Sequence, residues 1–255
     1  MYQGMYNLTS SMLTQRRKLD VVGNNMVNLQ TPGYKSETLV SETFKEAMYT
    51  QTHYYNKKND RTIGTTSYIR AARKTFTDFS EGTLSETGNP LDVAIQGKGF
   101  FSVRDANGNV RYTRSGLFKT DPEGRLVLRG GETVLDREGN EIVLPTDQVE
   151  IDKNGTIRMK EEGEDRILGQ IGLVDFEDPA LLQREDNGLF SSETQPQAVS
   201  VETQILQGFQ ENSNTDMVEN MTEMMSSQRG LQSSAQLLKM YDQIAGKASN
   251  DIGRV

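Results

Sequence analysis

The sequence predicts an α+β protein, with N- and C-terminal helices that pair as a coiled coil, a central antiparallel β-rich domain and an extended connector. Two patterns carry this prediction. At both ends of the 255-residue chain, apolar residues recur at alternating steps of four and three, which is the spacing of a coiled-coil seam. Between the ends, short β-favouring runs alternate with turn signals. The predicted segments are 1–34 for the N-terminal helix, 35–75 for the connector, 76–199 for the β-rich domain, 200–213 for a return connector and 214–255 for the C-terminal helix.

The N-terminal seam is predicted to bind a partner helix. Its positions are Met1, Met5, Leu8, Met12, Gln15, Leu19, Val22, Met26 and Leu29. One helix cannot bury its own apolar stripe, so this seam needs a second helix from the same chain or from another copy. The helix is expected to end before Pro32, because proline lacks an amide hydrogen and disfavours the α conformation at Thr31. Gly33 then permits a tight turn.

A second seam follows in the C-terminal segment. Its positions are Met217, Met221, Met224, Gln228, Leu231, Ala235, Leu238, Asp242 and Ala245. Asn214 or Thr215 is expected to cap this helix, with Asp216 in its first turn, and Gly246 is expected to end it. The methionines either fill a core or pack against several slightly different neighbours, which suits a flexible thioether side chain. Their terminal position favours the second interpretation.

One four-residue pattern, Asp-x-x-Gly, predicts four turns in the central domain. Its copies begin at Asp105, Asp121, Asp136 and Asp152. Asp at the first position and Gly at the fourth suit a type I turn, with the glycine as a bulge in a hairpin. Aspartate oxygens could also bind calcium, but an EF-hand loop needs ligands at alternate positions and a distal glutamate, which this pattern lacks. Structural turns are therefore the preferred interpretation.

Composition narrows the classes of function. The chain has no cysteine, which excludes disulfides, thiolate metal sites and cysteine nucleophiles. No stretch approaches the roughly 20 apolar residues that a membrane-spanning helix needs. A basic region followed by an apolar run is not visible at the N-terminus, so no cleavable secretory signal is expected. No cofactor and no metal ion is predicted.

Charge is unevenly distributed along the chain. Residues 1–75 contain 11 Lys/Arg and 5 Asp/Glu, residues 76–199 contain 13 and 24, and residues 200–255 contain 4 and 7. The basic leading segment and the mildly acidic trailing segment, residues 200–255, could attract each other when packed together, or the charges could be solvated faces that serve solubility alone. Nucleic acid is not expected as a partner, because the net charge is −8 and the basic residues within 57–74 form no dense basic–aromatic patch.

No catalytic residue is predicted. His53 is the only histidine, and it lies in a polar stretch without an obvious partner for a catalytic triad. Gly97-Lys98-Gly99 precedes a predicted strand, whereas a phosphate-binding glycine loop opens into a helix. A soluble enzyme or carbohydrate-binding protein with a helical stem remains an alternative class, since 36 Asp/Glu could supply the carboxylate pair of a glycosidase.

Four blocks, in order along the chain, resemble bacterial flagellar rod and hook proteins. They are NNMVNLQTPGY at 24–34, NPLDVAIQGKGFF at 89–101, YTRSGLF at 112–118, and a C-terminal block of QGFQENSN at 207–214 with MMSSQR at 224–229. Chain length and block order resemble the basal-body rod proteins more than the longer hook protein. Within that family, distal rod subunits are most similar and proximal rod subunits next. The chain departs from the family pattern around the asparagines and after the Gln-Arg pair.

The resemblance implies a structural subunit of the flagellar rod, whose paired terminal helices form the inner tube of a hollow, torque-transmitting shaft, with the β-domain outward. The implied partners are copies of itself, homologous rod and hook subunits, the flagellar type III export apparatus and, around the rod, ring proteins. The implied location is the basal body, outside the cytoplasmic membrane, reached without a cleaved signal peptide. A hook or hook-junction subunit is the nearer alternative.

Two groups of residues are expected to carry this function. The residues expected to pack subunits together are Met5, Leu8, Met12, Leu19, Val22, Met26, Met217, Met221, Met224, Leu231 and Leu238. In the motif at the end of the first helix, three asparagines are expected to form hydrogen bonds and four further residues to set the direction of the connector. These are Asn24, Asn25 and Asn28, followed by Thr31, Pro32, Gly33 and Tyr34.

Overall fold

A computed structural model describes residues 2–51, 61–161, 164–185, 187–199 and 203–252. The chain divides into two compact units. The first, which we call the helical unit, comprises Met1–Val27, Glu37–Phe76 and Asp216–Val255; the second, the β unit, comprises Asn28–Ser36 and Thr77–Thr215. The predicted α+β class, with terminal helices and a central antiparallel β-rich region, is confirmed. The finer division into five segments stays a prediction.

The helical unit contains two helices that run in opposite directions, α1 (Tyr2–Val27) and α2 (Met217–Ile252). Gly4, near the start of α1, lies beside the ring of Tyr241, near the end of α2. At the other end of the pair, Asn25 donates a hydrogen bond to Asn220. Among the described residues, no helix combines the length and apolarity that crossing a bilayer requires.

A single carboxylate caps the start of α2. The side chain of Asp216 accepts hydrogen bonds from the backbone amides of Val218 (2.8 Å) and Glu219 (2.9 Å). Asp216 is therefore the N-cap, because an N-cap side chain bonds the second and third amides of its helix. The prediction that Asn214 or Thr215 occupies this position is wrong, although both residue types are good caps.

The helix α2 passes through two glycines without ending. The prediction that it stops at Gly246 is wrong, because the helix continues to Ile252. Glycine within a helix costs only about 1 kcal/mol relative to alanine, which flanking helix-forming residues can offset. At Gly230 the glycine also permits close packing, since a methyl group there would lie 3.3 Å from the side-chain amide carbon of Gln15 in α1.

A two-stranded sheet, which we call the ribbon, is formed by β1 (Glu37–Gln51) and β2 (Arg61–Thr77). An extended connector is predicted at 35–75, and the structure has two long paired strands in this region, of 15 and 17 residues. Both are rich in threonine and in β-branched or aromatic residues, and neither contains proline, so their composition favours extended structure. His53 lies outside the described residues.

The β unit is built from short strands. Those that the structure describes are β3 (Leu84–Glu86), β4 (Val93–Gln96), β5 (Phe100–Arg104), β6 (Val110–Thr113), β7 (Phe118–Thr120), β8 (Leu126–Leu128), β9 (Thr133–Val134), β10 (Glu150–Ile151), β11 (Thr156–Glu161), β12 (Glu164–Gln170), β13 (Leu173–Asp175), β14 (Gln183–Arg184), β15 (Phe190–Ser191), β16 (Gln197–Ala198), β17 (Gln204–Gln207) and β18 (Phe209–Glu211). A single 3₁₀ turn among them spans Pro179–Leu181.

The largest sheet of the β unit has the strand order β14-β15-β6-β5-β9-β8-β7, and β13 joins it by pairing with β5 and β16. A second sheet has the order β10-β11-β12. Two further pairs, β17-β4 and β18-β3, join the last two strands of the β unit to its first two. The pairings within the β unit are antiparallel.

Two apolar clusters fill the β unit. The larger one contains Phe101, Val103, Val134 and Ile157, each fully buried. The smaller one is aromatic, and in it Phe100 packs edge to face with rings at centroid distances of 5.5 to 6.0 Å. Such aromatic pairs add about 0.5–1.5 kcal/mol to the burial of the rings. The larger cluster receives side chains from strands far apart in sequence, such as Val93 of β4 and Ile205 of β17.

The four predicted Asp-x-x-Gly turns are confirmed as structural turns. In each, the glycine amide donates to the carbonyl oxygen of the aspartate, at 3.0 Å for Asp105, 2.9 Å for Asp121, 3.2 Å for Asp136 and 2.8 Å for Asp152. The four glycines have φ between 79° and 86°, a conformation that glycine adopts without strain. A fifth turn of this geometry begins at Glu185. It was not predicted, because glutamate replaces the aspartate of the pattern.

In three of these turns the aspartate carboxylate accepts hydrogen bonds from backbone amides, at Asp105, Asp121 and Asp136. At Asp136, Oδ1 accepts hydrogen bonds from the backbone of Glu138 (2.7 Å) and Asn140 (2.9 Å). Partial burial raises the pKa of this carboxyl group, but the hydrogen bonds from Asn140 and Glu138 favour its charged form and bring the pKa below its ordinary value. The same balance lowers the pKa of Asp105 and of Asp121.

These lowered pKa values predict a loss of stability in acid. A carboxyl group whose pKa is lower in the folded protein binds protons more tightly when unfolded. Its contribution to stability is therefore complete above the unfolded pKa, about 4, and disappears as the pH falls through the folded value. We expect the combined variant Asp105→Asn, Asp121→Asn, Asp136→Asn to lose less unfolding free energy than the wild type between neutral pH and pH of about 3. Urea denaturation at a series of pH values measures this, and parallel curves for the two proteins would contradict it.

Candidate functional site: a buried junction and exposed helix faces

Three segments of the β unit meet at one place, which we call the junction. It consists of residues 31–36, 78–83 and 209–214, together with Arg114. Backbone hydrogen bonds join the segments: Gly33 donates to the carbonyl of Glu211 (2.7 Å), and Asp78 donates to the carbonyl of Ser36 (2.8 Å). The first segment enters the unit, the second resumes it, and the third leaves it. The junction therefore fixes the points at which the chain enters and leaves the β unit.

The motif at the end of the first predicted helix supplies the turn into the junction. The amide of Tyr34 donates to the carbonyl of Thr31 (3.2 Å), and Gly33 has φ of 73°. Proline at the second position and a left-handed glycine at the third are typical of a type II turn. The hydroxyl of Thr31 donates to the side-chain oxygen of Asn28 at 3.1 Å, as expected for hydrogen bonding by that asparagine.

Gly33 is required for a second reason, which is the space around it. A methyl group there would lie 2.7 Å from the carbonyl carbon of Arg114 and would collide with the backbone of Ser115. Beside it, Tyr34 is buried, and the guanidinium of Arg184 lies 4.1 Å from the centre of its ring. Arg184 also donates to the carbonyl of Lys35 at 3.1 Å. The turn is thus held from both sides by the β unit.

Three charged side chains lie buried at the centre of the junction. Lys35, Glu211 and Arg114 have side-chain exposures of 0 %, 1 % and 3 %. The ammonium of Lys35 donates to Oε1 of Glu211 at 2.6 Å and to the carbonyl of Ser80 at 2.6 Å. The Nε of Arg114 lies 3.2 Å from Oε2 of Glu211, as an ion pair that lacks the alignment of a hydrogen bond. Oε1 also accepts from the amide of Gly82 at 3.0 Å.

Backbone carbonyls bind the remaining donors of Arg114. Its Nη1 donates to the carbonyls of Gly97 (2.9 Å) and Gly99 (2.7 Å), and its Nη2 donates to Gly97 (2.9 Å). The two glycines have positive φ values of 105° and 133°, which turn the loop toward the guanidinium. The glycine-rich loop therefore binds an internal arginine.

The electrostatics of the junction depend on Glu211. Burial lowers the pKa of Lys35, the nearby carboxylate of Glu211 raises it, and Arg114 lowers it again, so that it stays below its ordinary value. One buried carboxylate thus faces two buried cations. Removing one partner of a buried ion pair costs far more than the pair contributes, because a charge is left without compensation in a medium of low polarity. Glu211 belongs to both pairs.

In the helical unit, the side chains of Asn25 and Asn220 join the two helices and the start of β1 by hydrogen bonds. The side chain of Asn25 donates to the carbonyl of Glu37 (2.8 Å) and accepts from its amide (3.0 Å), so that it pairs with the first residue of β1. It also donates to the side-chain oxygen of Asn220 (3.3 Å). The side-chain amide of Asn220 in turn donates to the backbone carbonyl of Asp216 (2.7 Å). Asn25 therefore links the end of α1 to the start of β1 and to α2. Asn24 lies exposed on the same helix.

The predicted packing positions differ in their burial. In α1, Val22 is buried, and the other predicted positions, Met5, Leu8, Met12, Leu19 and Met26, are half-buried. In α2, Met224, Leu231 and Leu238 are half-buried, whereas Met217 and Met221 are 52 % and 48 % exposed. The part that these residues take in packing subunits together stays a prediction.

Small and polar residues line the face of α2 that is most buried. Asn220, Ser227 and Ser234 recur there at intervals of seven residues, and each is less than a tenth exposed. At the same interface, Lys18 of α1 forms an ion pair with Glu223 of α2 at 2.5 Å. The apolar seam predicted from the sequence therefore lies beside this polar line, along which α1 and α2 approach each other most closely. A search for apolar periodicity does not register serine and asparagine, so it missed this line.

Large apolar side chains remain exposed on both helices. On α1 they are Tyr6, Leu13 and Val27; on α2 they are Met217, Val218, Met221 and Met225 in the first half and Leu237, Met240, Tyr241 and Ile244 in the second half. The last four have the spacing of one helical stripe. Contiguous exposed apolar patches on a protein mark surfaces that bind a partner.

Comparison with known protein families gives three matches along the chain. The model "Flagella basal body rod protein" matches residues 5–35, the model "Flagellar hook protein FlgE/F/G D1 domain" matches residues 94–159, and the model "Flagellar basal body rod FlgEFG protein C-terminal" matches residues 206–251. They follow the order of the sequence blocks described above.

Relatives match over the full length. The flagellar basal-body rod protein FlgF of Caulobacter vibrioides is 33 % identical, with 100 % of each chain covered. The chain belongs to the flagellar basal-body rod protein family. The rod protein FlgG of Bacillus subtilis is 32 % identical, with 98 % of this chain and 99 % of the relative covered. Identity to the two kinds of rod protein is nearly equal, so it does not assign this chain to one of them.

Each family region contributes one member of the buried charge cluster. Lys35 is the last residue of the first matched region, Arg114 lies in the second, and Glu211 lies in the third. The junction is therefore the place where the three parts of this rod-family chain are joined. Sequence reasoning identified the blocks but not the charge cluster, because Lys35 and Glu211 are 176 positions apart.

Neutralising Glu211 tests the junction. We expect Glu211→Gln to lower the free energy of unfolding by about 3–5 kcal/mol, because Lys35 and Arg114 would stay buried without their counter-charge. The matched control is Glu141→Gln, whose pairing with Arg104 is about one-third exposed, and which we expect to cost less than about 1 kcal/mol. Urea denaturation of both variants measures the difference. Equal losses in the two variants would show that the buried cluster contributes no more than a surface ion pair.

Proposed function

We propose that the chain is a structural subunit of the bacterial flagellar rod and not an enzyme. Membership of the rod protein family supports this, and the observation that carries it is the set of large apolar side chains left exposed on α1 and α2. Fully burying one such side chain contributes about 1.5–3 kcal/mol. A chain with this many exposed apolar groups on its terminal helices gains stability when neighbouring subunits cover them.

The helices suit repeated assembly because their two sides differ. Within one chain they approach each other through Asn220, Ser227, Gly230 and Ser234, which use little of the apolar surface. The apolar stripes are thereby left available for other copies and for homologous rod and hook subunits. We propose that α1 and α2 pair as a coiled coil and that these pairs pack into a hollow shaft that transmits torque to the hook.

The junction gives the β unit the stiffness that such a role requires. Its entry and return segments are joined by backbone hydrogen bonds and by the buried cluster of Lys35, Arg114 and Glu211, and opening them would expose uncompensated charge. A load applied to either segment is therefore carried by the whole β unit rather than by a loop. Low-stability loops and termini are the first parts of a protein to open, and the junction removes two such points.

Location and further partners follow from the family. We propose that the subunit resides in the flagellar basal body, outside the cytoplasmic membrane. Export by the flagellar type III apparatus, without a cleaved signal peptide, and contact with ring proteins around the rod belong to the same proposal. The exposed helix faces support this only indirectly, since a chain that leaves the cell unassembled must keep its assembly surfaces uncovered until it reaches the growing structure.

A hook or hook-junction subunit is the nearer alternative. One relative, FlhO of Bacillus subtilis, is named a flagellar hook-basal body complex protein and is 27 % identical over 100 % of both chains. The two relatives named rod proteins that are described above have higher identity, 33 % and 32 %, which favours the rod. Deleting the gene distinguishes the two: loss of a rod subunit leaves cells without hooks, whereas loss of a junction subunit leaves hooks without filaments. Electron microscopy of the deletion strain gives the answer.

One cavity in the β unit bears on the alternative that the protein is an enzyme. A cavity of about 460 Å³ in the β unit is lined by Phe100 and Phe176 and by the carboxylates of Asp175 and Glu177. Its rings pack edge to face against each other, with Phe100 and Phe176 at 5.8 Å, and Asp175 accepts a hydrogen bond from the amide of Phe176. The rings and Asp175 thus have structural contacts. Glu177 and the third carboxylate that lines the cavity, Glu81, are both exposed, whereas a general acid needs a desolvated carboxyl group. The rod function is therefore preferred.

Charges placed on the exposed helix faces should block assembly without unfolding the protein. We expect Leu13→Asp and Met221→Glu to leave the free energy of unfolding within about 0.5 kcal/mol of the wild type, because these side chains are 58 % and 48 % exposed. Both variants should fail to restore swimming in the deletion strain, since a buried unpaired carboxylate at a subunit contact is strongly unfavourable.

The matched control for these variants is Leu181→Asp, which changes a side chain of the β unit that is 56 % exposed. It should keep both stability and swimming. Cell fractionation shows whether each variant is made at wild-type level. Wild-type swimming of the two helix variants would rule out these faces as subunit contacts.

A further inference from the structure

The ribbon of β1 and β2 is unusually long for a sheet of two strands. Its strands have 15 and 17 residues, and each pairs with the other and with no further strand among the described residues. Strands in globular proteins average five to six residues, and a two-stranded sheet alone is at best marginally stable in water. A ribbon of this length therefore requires further contacts along its strands.

The outer edges of the ribbon offer such contacts. Every strand edge presents a row of backbone donors and acceptors that pairs readily with another strand. Proteins commonly block such edges with proline or keep their strands short. Neither β1 nor β2 contains proline, and both are rich in threonine and in β-branched or aromatic residues. The backbone is therefore suited to accept another strand on either side.

The two strands differ in charge. The sequence of β1 contains three glutamates and one lysine, whereas β2 contains three arginines, one lysine and no acidic residue. Opposite charges on neighbouring strands stabilise their pairing, and like charges directly opposite each other destabilise it. Two β1 strands or two β2 strands would therefore repel each other, and a β1 edge would attract a β2 edge.

We propose that the β1 edge of one copy pairs with the β2 edge of the next copy, so that the ribbons of neighbouring subunits form a continuous sheet. This inference rests on the proposed rod function and names one of its subunit contacts. The occupant is a second copy of this chain, because the chain itself supplies both the acidic and the basic strand. Main-chain hydrogen bonds provide the affinity, and charge provides the choice of partner strand.

Such a contact is directional. It joins two different surfaces of the same molecule, which is a heterologous contact, and repeating it gives a ring or an open helical assembly rather than a closed dimer. The repulsion between like strands excludes the symmetric dimer that would end growth. The ribbon therefore supplies a contact suited to a growing rod, separate from the exposed faces of α1 and α2.

The absence of cysteine from the sequence allows a direct test by cross-linking. One copy carries Thr43→Cys in β1, and a second copy carries Thr66→Cys in β2. Both are produced together in a strain without its own copy of the gene, and isolated basal bodies are oxidised. Because each chain has one cysteine, pairing of β1 with β2 inside one chain gives no disulfide. Since disulfides need Cα atoms within about 7 Å, Thr38 and Thr50 are also tested against Thr62 and Thr75 to cover the register.

We expect mixed β1–β2 dimers in at least one combination, exceeding the β1–β1 and β2–β2 dimers by about tenfold or more, because adjacent strands have a high effective concentration. The collision control pairs each ribbon cysteine with Thr194→Cys, an exposed position of the β unit. Rods that assemble and support swimming while mixed dimers stay at the control level would overturn the ribbon contact and leave the rod function standing. Copies that never enter the rod would overturn both.

Charge reversal separates contacts between copies from pairing within one copy. Arg70→Glu, Arg73→Glu and Lys74→Glu together in the Thr66→Cys copy should reduce mixed dimers to the control level. Adding Glu42→Lys with Glu46→Lys to the Thr43→Cys copy should restore them, because the two altered edges again have opposite charge. Within either altered chain, β1 and β2 then have like charge, so pairing inside one chain cannot explain a recovery. No recovery would contradict the proposed choice of partner by charge.

Discussion

The buried carboxylate of Glu211 is the interaction on which the β unit depends. It holds two cations, Lys35 from the entry segment and Arg114 from the main sheet, at a place that excludes water. The cluster carries one more positive than negative charge, and carbonyl groups of Ser80, Gly97 and Gly99 accept hydrogen bonds from the cations. These dipoles disperse the excess charge, so the cluster is stable only with all its partners in place.

The charge cluster explains why several distant features of the sequence occur together. Gly33 must be a glycine to bring the entry turn against the backbone of Arg114, and Gly97 and Gly99 must turn their carbonyls toward its guanidinium. An apolar core of equal volume could hold these segments with as much affinity, but it would accept neighbouring alignments. A buried ion pair with fixed hydrogen bonds admits one alignment only, which is the use of buried charge that fits this protein.

Local features could be predicted from the sequence, and long-range ones could not. The end of α1 before Pro32 and the four Asp-x-x-Gly turns depend on residues within a few positions of one another, and they were correct. The charge cluster depends on residues up to 176 positions apart. The identity of the N-cap of α2 depends on which of several suitable side chains is not engaged elsewhere. Asn214 is engaged elsewhere, because its side chain accepts from the amide of Ser36 and donates to the carbonyl of Asp78.

The helices show a related limit of sequence reasoning. Apolar periodicity locates a stripe on a helix, but it does not say whether that stripe faces a helix of the same chain or another subunit. Here the line of closest approach between α1 and α2 is marked by serine, asparagine and glycine, and Met217, Met221 and Leu13 remain outside. Had the closest packing used the apolar stripe, the isolated chain would be more stable and would have less to gain from assembly. Because the polar line forms the closest contact within one chain, the exposed apolar side chains of Leu13, Met217 and Met221 stay uncovered there, as the proposed subunit contacts require.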